Sequence, residues 1–408
     1  VEVRSGYKQT ELGVIPEDWT ISSVGAEFSI QLGKMLDAEK NVGVPKPFLG
    51  NRAVQWGKID LTDIGEIKLT PSDLQRFRLR KGDLLVCEGG EIGRATVWQQ
   101  PIEECYYQKA LHRLRPLRGY NVQLMLNILQ RLASTGFLLN FVTQTSIAHL
   151  PKDKFETIPI PLPPTKAEQE AIAEALSDAD VLIESLEQLL TKKRQLKQGA
   201  MQELLTGKKR LPGFSGKWEA YTIEQLEKAK LVKLSRGKVI SKNDIERVPG
   251  DYPIYSSSVN NNGLFGCYGE FMFNEELITW SVDGGGNFFY RPRHKFSVTN
   301  VCGFMRVDPV KLNSQFLAAQ LQLLHSRKSF DYLIKAHPSV IRKAYQVRLP
   351  GLGEQAVIAA ILSDMDAEIV ALKAKLAKAR QSPPAQAGHD AGVINRTYPA
   401  NKLRMDNE

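Results

Sequence analysis

The chain has 408 residues, is 42% hydrophobic and 24% charged, and carries a formal net charge of +9. That is enough material for two cores, and no stretch reads as a signal peptide or as an apolar run able to cross a bilayer, so a soluble cytoplasmic protein is expected. Four cysteines, Cys87, Cys105, Cys267 and Cys302, show no CxxC spacing, which argues against structural zinc, and the basic balance favours a polyanionic partner because Lys and Arg neutralise phosphates.

A short lead-in, Val14-Ile15-Pro16-Glu17-Asp18-Trp19, opens a first block that runs to Pro164. Within it Lys81-Gly82-Asp83-Leu84-Leu85-Val86 reads as a turn into a strand. Residues 88–94, Glu-Gly-Gly-Glu-Ile-Gly-Arg, read as a hairpin loop. Asp63, Glu66 and Lys68 loosely follow a D…E-x-K pattern, in which carboxylates would hold Mg²⁺. A helical stretch is expected near 121–141.

Pro163 and Pro164 then stop the block. Thr165 stands three residues before Glu168, the spacing of a capping box, with the carboxylate returning to the cap. From Glu168 the pattern becomes a long helix, with Ile172, Leu176, Ala179, Ile183, Leu186 and Leu190 in steps of four and three. That narrow stripe is a coiled-coil seam. The helix continues through a basic run, Lys192, Lys193, Arg194 and Lys197, to about Leu205, where Gly207 can end it. A rod of that length spans roughly 60 Å.

A second lead-in, Phe214-Ser215-Gly216-Lys217-Trp218, opens a block that ends at Pro350. Tyr252–Tyr255, Leu277–Trp280 and Phe288–Tyr290 read as strands, broken by turns at 260–263 and 283–286, with a helical stretch near 311–334. Both blocks are therefore expected to be α+β. The first helix then recurs 186 residues on. Glu354-Gln355 repeats Glu168-Gln169, and Ile358, Leu362, Met365, Ile369, Leu372 and Leu376 repeat the seam. Gly351 replaces Thr165, a weaker cap. From Trp to Glu the two halves measure 149 and 136 residues. The frames match while the contents differ.

Catalytic signals are sparse. There is no phosphate-binding G-x-x-x-x-G-K-[ST] loop, no methyltransferase motif pair, and the six histidines lack metal-ligand or triad spacing. A large, basic, two-headed chain of this kind is expected to recognise rather than to catalyse.

With these residues in hand, the chain resembles the specificity (S) subunit of Type I restriction–modification systems. The residues that carry the likeness are Ile160-Pro161-Leu162-Pro163-Pro164, Glu168-Gln169 with Ile172-Ala173, and the stretch from Leu196 to Gly207. The likeness runs from about residue 7 to 381. It implies α+β target-recognition domains at 1–164 and 208–350, and coiled-coil helices at 165–207 and 351–381 that pair antiparallel with pseudo-two-fold symmetry. It implies double-stranded DNA as a partner, each domain reading half of a bipartite site. Two methyltransferase (M) subunits would bring S-adenosylmethionine, and restriction (R) subunits would bring ATP and Mg²⁺. The chain itself would hold no cofactor and no catalytic residue.

Base edges need Arg, Lys, Asn, Gln, Ser or Thr on loops or strands that enter a groove. The candidates are Asn51, Arg52, Gln55, Lys58, Arg94, Lys109 and Thr145 in the first block. In the second they are Arg236, Lys238, Ser257, Asn260, Asn261, Asn287, Arg291, Arg293 and His337, with Asn260 and Asn261 also suited to a turn. Two other functions are compatible with the pattern: a standalone Mg²⁺-dependent endonuclease built on the Asp63, Glu66 and Lys68 cluster, and a coiled-coil scaffold with no DNA role.

Residues 382–408 depart from the repeat. Pro383-Pro384 would stop the helix. Codons for Ala387–Ala400 can be chosen so that a one-base shift reads QGMMQELLTGRIRL, nearly restating Gln198–Leu211, which suggests a frameshift near codon 382.

Overall fold

A computed structural model describes residues 5–37, 41–143, 148–257, 260–283, 287–327 and 336–381. Thr145 and the tail from 382, with its suggested frameshift, lie outside them. The contacts divide the chain into two compact units, residues up to 187 with those from 374 on, and residues 188–373. Each long helix therefore contributes a part to each unit.

The first unit opens with β1 (Tyr7–Thr10), β2 (Gly13–Pro16), β3 (Thr20–Ser23), α1 (Val24–Glu27), β4 (Phe28–Leu32) and β5 (Val44–Leu49). It continues through β6 (Val54–Gln55), β7 (Lys58–Ile59), β8 (Ile64–Leu69), α2 (Pro71–Phe77), β9 (Leu84–Cys87) and β10 (Ala95–Val97). β11 (Tyr106–Tyr107), β12 (Leu111–Pro116), α3 (Val122–Ser134), α4 (Lys152–Glu156) and β13 (Pro159–Leu162) complete it. One sheet has the order β10-β9-β12-β4, another β11-β5-β8. β9 is buried along its whole length because it is a central strand, which is why Leu84-Leu85-Val86 reads as an unbroken apolar run. α3 begins at Asn121, whose Oδ1 accepts from the Leu124 N–H at 2.9 Å, and ends before Gly136, which takes φ +74°. It buries Leu124, Met125, Ile128 and Leu132 in one core with Phe28, Leu114 and Phe155.

α5 runs from Lys166 to Leu204. Gly207 follows with φ +71°, and a Cβ there would lie 3.2 Å from the Trp218 ring, so both the turn and the packing favour glycine.

The second unit holds β14 (Glu219–Thr222), α6 (Ile223–Lys228), β15 (Val232–Arg236), α7 (Lys242–Arg247), β16 (Tyr252–Tyr255) and β17 (Leu264–Tyr268). It goes on with β18 (Phe273–Ser281), β19 (Phe288–Val298), β20 (Cys302–Val307), α8 (Ser314–His325), α9 (Pro338–Ala344), β21 (Gln346–Leu349) and α10 (Leu352–Gln381). A six-stranded sheet has the order β15-β20-β18-β19-β16-β17, parallel only between β16 and β19. Trp280, Phe288, Phe316, Leu321 and Tyr345 form the main core, with α8 against β18 and β19.

The helix seams carry their apolar positions inward. Leu176, Ile183, Leu186, Leu190, Ile358, Leu362, Ile369 and Leu376 are buried, and Ile172, Ala179, Met365 and Leu372 are half-buried. Near its start each helix buries more than the narrow stripe expected from sequence. Ala173 joins the core of the first unit, and Ala359 joins that of the second beside Ile358 and Leu362. In the second unit α5 and α10 run antiparallel: Lys193 pairs with Glu368 and Lys197 with Asp366, each at 2.5 Å. In the first, Arg380 of α10 reaches Glu187 of α5 at 2.5 Å.

The repeated Glu-Gln dipeptide has a structural purpose. Gln169 Oε1 accepts from the Asn121 N–H at 2.9 Å, and Gln169 Nε2 donates to the Pro163 carbonyl at 3.4 Å. Gln355 does the same with the Asn313 N–H at 2.9 Å and the Pro350 carbonyl at 2.8 Å. Each Gln thus ties the start of a long helix to the capped start of a domain helix. The capping box expected at Thr165 is only half formed. Its hydroxyl accepts from the Glu168 N–H at 3.1 Å, but the Glu168 carboxylate accepts from Trp19 Nε1 at 2.9 Å. Among the described residues, no helix is long and apolar enough to cross a membrane.

Candidate nucleic-acid interface

One edge of each unit is built from the same backbone hydrogen bonds. In the first unit β4 leads into Gly33-Lys34, where the Gly33 N–H donates to Leu111 O at 3.1 Å and the Lys34 N–H to Tyr107 O at 3.0 Å. In the second β15 leads into Gly237-Lys238, with Gly237 N–H to Cys302 O at 3.1 Å and Lys238 N–H to Val298 O at 3.1 Å. Three further bonds match. Gln108 N–H to Leu49 O (3.1 Å) corresponds to Thr299 N–H to Tyr255 O (2.9 Å). Glu88 N–H to Ala110 O (2.9 Å) corresponds to Val282 N–H to Val301 O (3.0 Å). Leu150 N–H to Glu88 O (2.7 Å) corresponds to Ala336 N–H to Val282 O (2.9 Å). Both glycines are obligatory by contact: a Cβ would meet Gln108 O at 2.2 Å in one unit and Val298 O at 2.0 Å in the other.

The side chains on this shared frame differ. In the first unit, Asn51 Nδ2 donates to Gly89 O at 2.9 Å, and Arg94 Nη2 donates to Asn51 O at 2.9 Å. Lys109 is exposed beside them, its N–H on Lys34 O at 2.8 Å. Burial pushes the Glu88 carboxyl above its usual range, while the Lys109 charge pulls the other way. Three candidates, Asn51, Arg94 and Lys109, therefore meet at one edge. Arg52 is exposed and reaches Asp63 at 3.8 Å. Gln55 Nε2 donates to Arg52 O at 2.7 Å, and Lys58 is exposed on β7.

In the second unit, Arg236 donates to Asn300 O through Nε at 2.9 Å and Nη2 at 2.5 Å. Lys238 is exposed with no carboxylate partner among the described residues. Ser257 O accepts from Ser281 Oγ at 2.8 Å, and Thr299 Oγ1 donates to Ser256 Oγ at 2.9 Å. Arg293 is exposed on β19.

A family model for the type I restriction modification DNA specificity domain matches residues 16–197 and 216–379. The chain belongs to this family. The specificity subunit of the type I restriction enzyme MpnII of Mycoplasma pneumoniae is 31% identical over 136 residues, 32% of this chain and 40% of that protein. Two other relatives from that organism are 34% and 41% identical over 137 and 92 residues, 32% and 22% of this chain. The chain spans 44% and 49% of the length of these two relatives. The S subunit of a type I restriction–modification system from M. genitalium has the same fold, with a TM-score of 0.62 at 16% identity, over 93% of this chain and 95% of that one.

Several candidates have other duties in this specificity-domain chain. Arg291, expected on the DNA surface, is only 2% exposed. Its guanidinium lies 3.7 Å over the Tyr255 ring, with Nε donating to Thr279 Oγ1 at 3.0 Å and Nη2 to Asn262 O at 2.7 Å. Burial lowers its pKa to about 10. It is an internal strut, and the Arg-Pro-Arg sequence gave no hint that β19 turns this side chain inward. Asn287 Oδ1 accepts from Gln322 Nε2 at 2.9 Å, tying β19 to α8. His337 caps α9, Nδ1 accepting from the Ser339 N–H at 3.3 Å. Asn261 has φ +47° inside a turn that also contains Asn260. Asp63 faces Arg52 at 3.8 Å, and among the described residues no cluster of three or more His, Cys, Asp or Glu could hold an ion. Lys34, Gln108 and Asn300 also stand on this shared frame and are not among the sequence candidates, because the Gly-Lys step that marks it is only two residues long.

Proposed function

We propose that this chain is the DNA-recognition subunit of a type I restriction–modification complex, each unit reading one half of a bipartite site. The observation that carries this is the edge built twice on one hydrogen-bond frame and furnished differently. Glu88 stands where the other unit has Val282, Lys109 where it has Asn300, and Asn51 where it has Ser257. A common frame with exchanged side chains suits two readers of different base sequences. The net charge of +9 supports a polyanionic partner.

The chain acts without catalysis of its own. The paired helices dock two methyltransferase subunits and set the spacing between half-sites. S-adenosylmethionine enters with those subunits, and ATP and Mg²⁺ with restriction subunits, in the cytoplasm. Co-expression with the neighbouring methyltransferase subunit, followed by methylome sequencing, tests this reading. Adenine methylation at a single bipartite motif is expected. A complex that forms and modifies no bipartite motif would contradict it.

A further inference from the structure

The Gly-Lys step is followed in both units by apolar side chains that face solvent. Met35 and Leu36 are 54% and 49% exposed, and Val239 is 73% exposed. None of these side chains adds much to a core. Yet both segments are pinned. In the first, Asn41 Nδ2 donates to Met35 O at 3.1 Å and the Asn41 N–H to Asp37 O at 2.9 Å. In the second, Gly237 is fixed by Cys302 O, and Ser241 closes a capping box with Asp244 at the start of α7. A held segment that presents apolar side chains to water is suited to a partner.

In the second unit the segment borders a groove of about 600 Å³ whose lining includes Arg236, Lys238 and Phe271, together with Glu270 and an Arg247 that pairs with Asp244 at 3.4 Å. Cations with an aromatic and aliphatic floor match a nucleic-acid strand: phosphates take the charge, and thymine methyls or base edges take the apolar tips. In the first unit Lys34 is held by Asp73 at 2.9 Å, so the apolar tips there carry more of the contact.

We propose that residues 33–36 and 237–240 are matched tongues that enter a DNA groove, with Lys238 on a phosphate and Met35, Leu36 and Val239 against base edges. This rests on the DNA-reading function proposed above. The test uses the full chain co-purified with a co-expressed methyltransferase subunit and a mixed-sequence 40-bp duplex, followed by fluorescence anisotropy across a salt series. Lys238→Ala weakens binding, and the slope of log affinity against log salt falls by about one. Selection from random duplexes with Val239→Ser relaxes one half-site by about tenfold, and Met35→Ser with Leu36→Ser relaxes the other by a similar factor. These side chains are exposed, so melting is unchanged. Variants that melt normally and keep the parent slope and both half-sites would overturn the tongues while leaving the DNA-reading function intact. Failure of the unaltered complex to bind the duplex would overturn both.

Discussion

Glu168 and Glu354 hold the same place in the two long helices, yet they are satisfied differently. The first accepts one N–H from Trp19 at 2.9 Å. The second is 2% exposed and receives two bonds at 2.8 Å from Arg210, whose guanidinium lies 5.9 Å from the Trp218 ring. Trp218 is the counterpart of Trp19, but its Nε1 is buried with no hydrogen-bond partner among the described residues. The neighbouring glutamines, by contrast, make the same pair of bonds in both units. Backbone-directed contacts are thus kept in both copies, whereas contacts between side chains have been re-solved independently. A duplicated frame behaves this way when the frame must persist and its furnishing is free to change.

The comparison can be broken most forcefully at the shared glycines. Gly33→Ala and Gly237→Ala each place a Cβ about where a carbonyl oxygen already sits, and each should cost about 3 kcal/mol in urea unfolding. Equal losses support equivalence of the two edges; a tolerated substitution in one unit would break it. Next come the helix joints. Glu168→Ala loses a single hydrogen bond, worth about 1 kcal/mol. Glu354→Ala should cost more, because it strands the Arg210 guanidinium beside a buried site.

A third expectation separates the units by pH. His112 is buried in the first unit, donating through Nε2 to Leu150 O at 2.8 Å, and burial lowers its pKa to about 4. The unfolded histidine titrates near 6.5, so between those values the unfolded chain binds more protons. This contribution to stability is complete above about pH 6.5 and is lost as pH falls toward 4. His112→Gln keeps a donor for Leu150 O and removes the titration, so stability measured across that window should lose this acid-side slope. An unchanged slope would refute the assignment. The smallest effect is expected at the exposed Lys193–Glu368 pair, where Lys193→Ala should cost less than about 1 kcal/mol and less still in high salt.

Much of this architecture was legible in the chain itself. The seam positions announce themselves because a helix pairing through one face repeats its apolar residues at fixed steps. The strands at Leu84 and Tyr252 are visible because turn residues bracket apolar runs. Other features were hidden by distance along the chain. The Glu-Gln repeat looks like helix patterning until Gln169 is seen on the Asn121 N–H, 48 residues away. The capping role expected for the Glu168 carboxylate lost to an indole 149 residues upstream. Arg291 is a base-edge candidate by residue type alone, and its burial is explained only by distant partners: the Tyr255 ring, Thr279 Oγ1 and the Asn262 carbonyl. Lys238 is a candidate from sequence, but its equivalence to Lys34 is hidden because it lies in backbone bonds rather than in side chains.

The most direct measurement exchanges one reader. Residues 208–350 are replaced by the corresponding block of another family member, and the methylome is sequenced after co-expression with the methyltransferase subunit. One half-site should change while the other half and the spacing between them stay as they were. Alteration of both halves together, or of neither in a complex that still methylates, would contradict two independent readers on one frame.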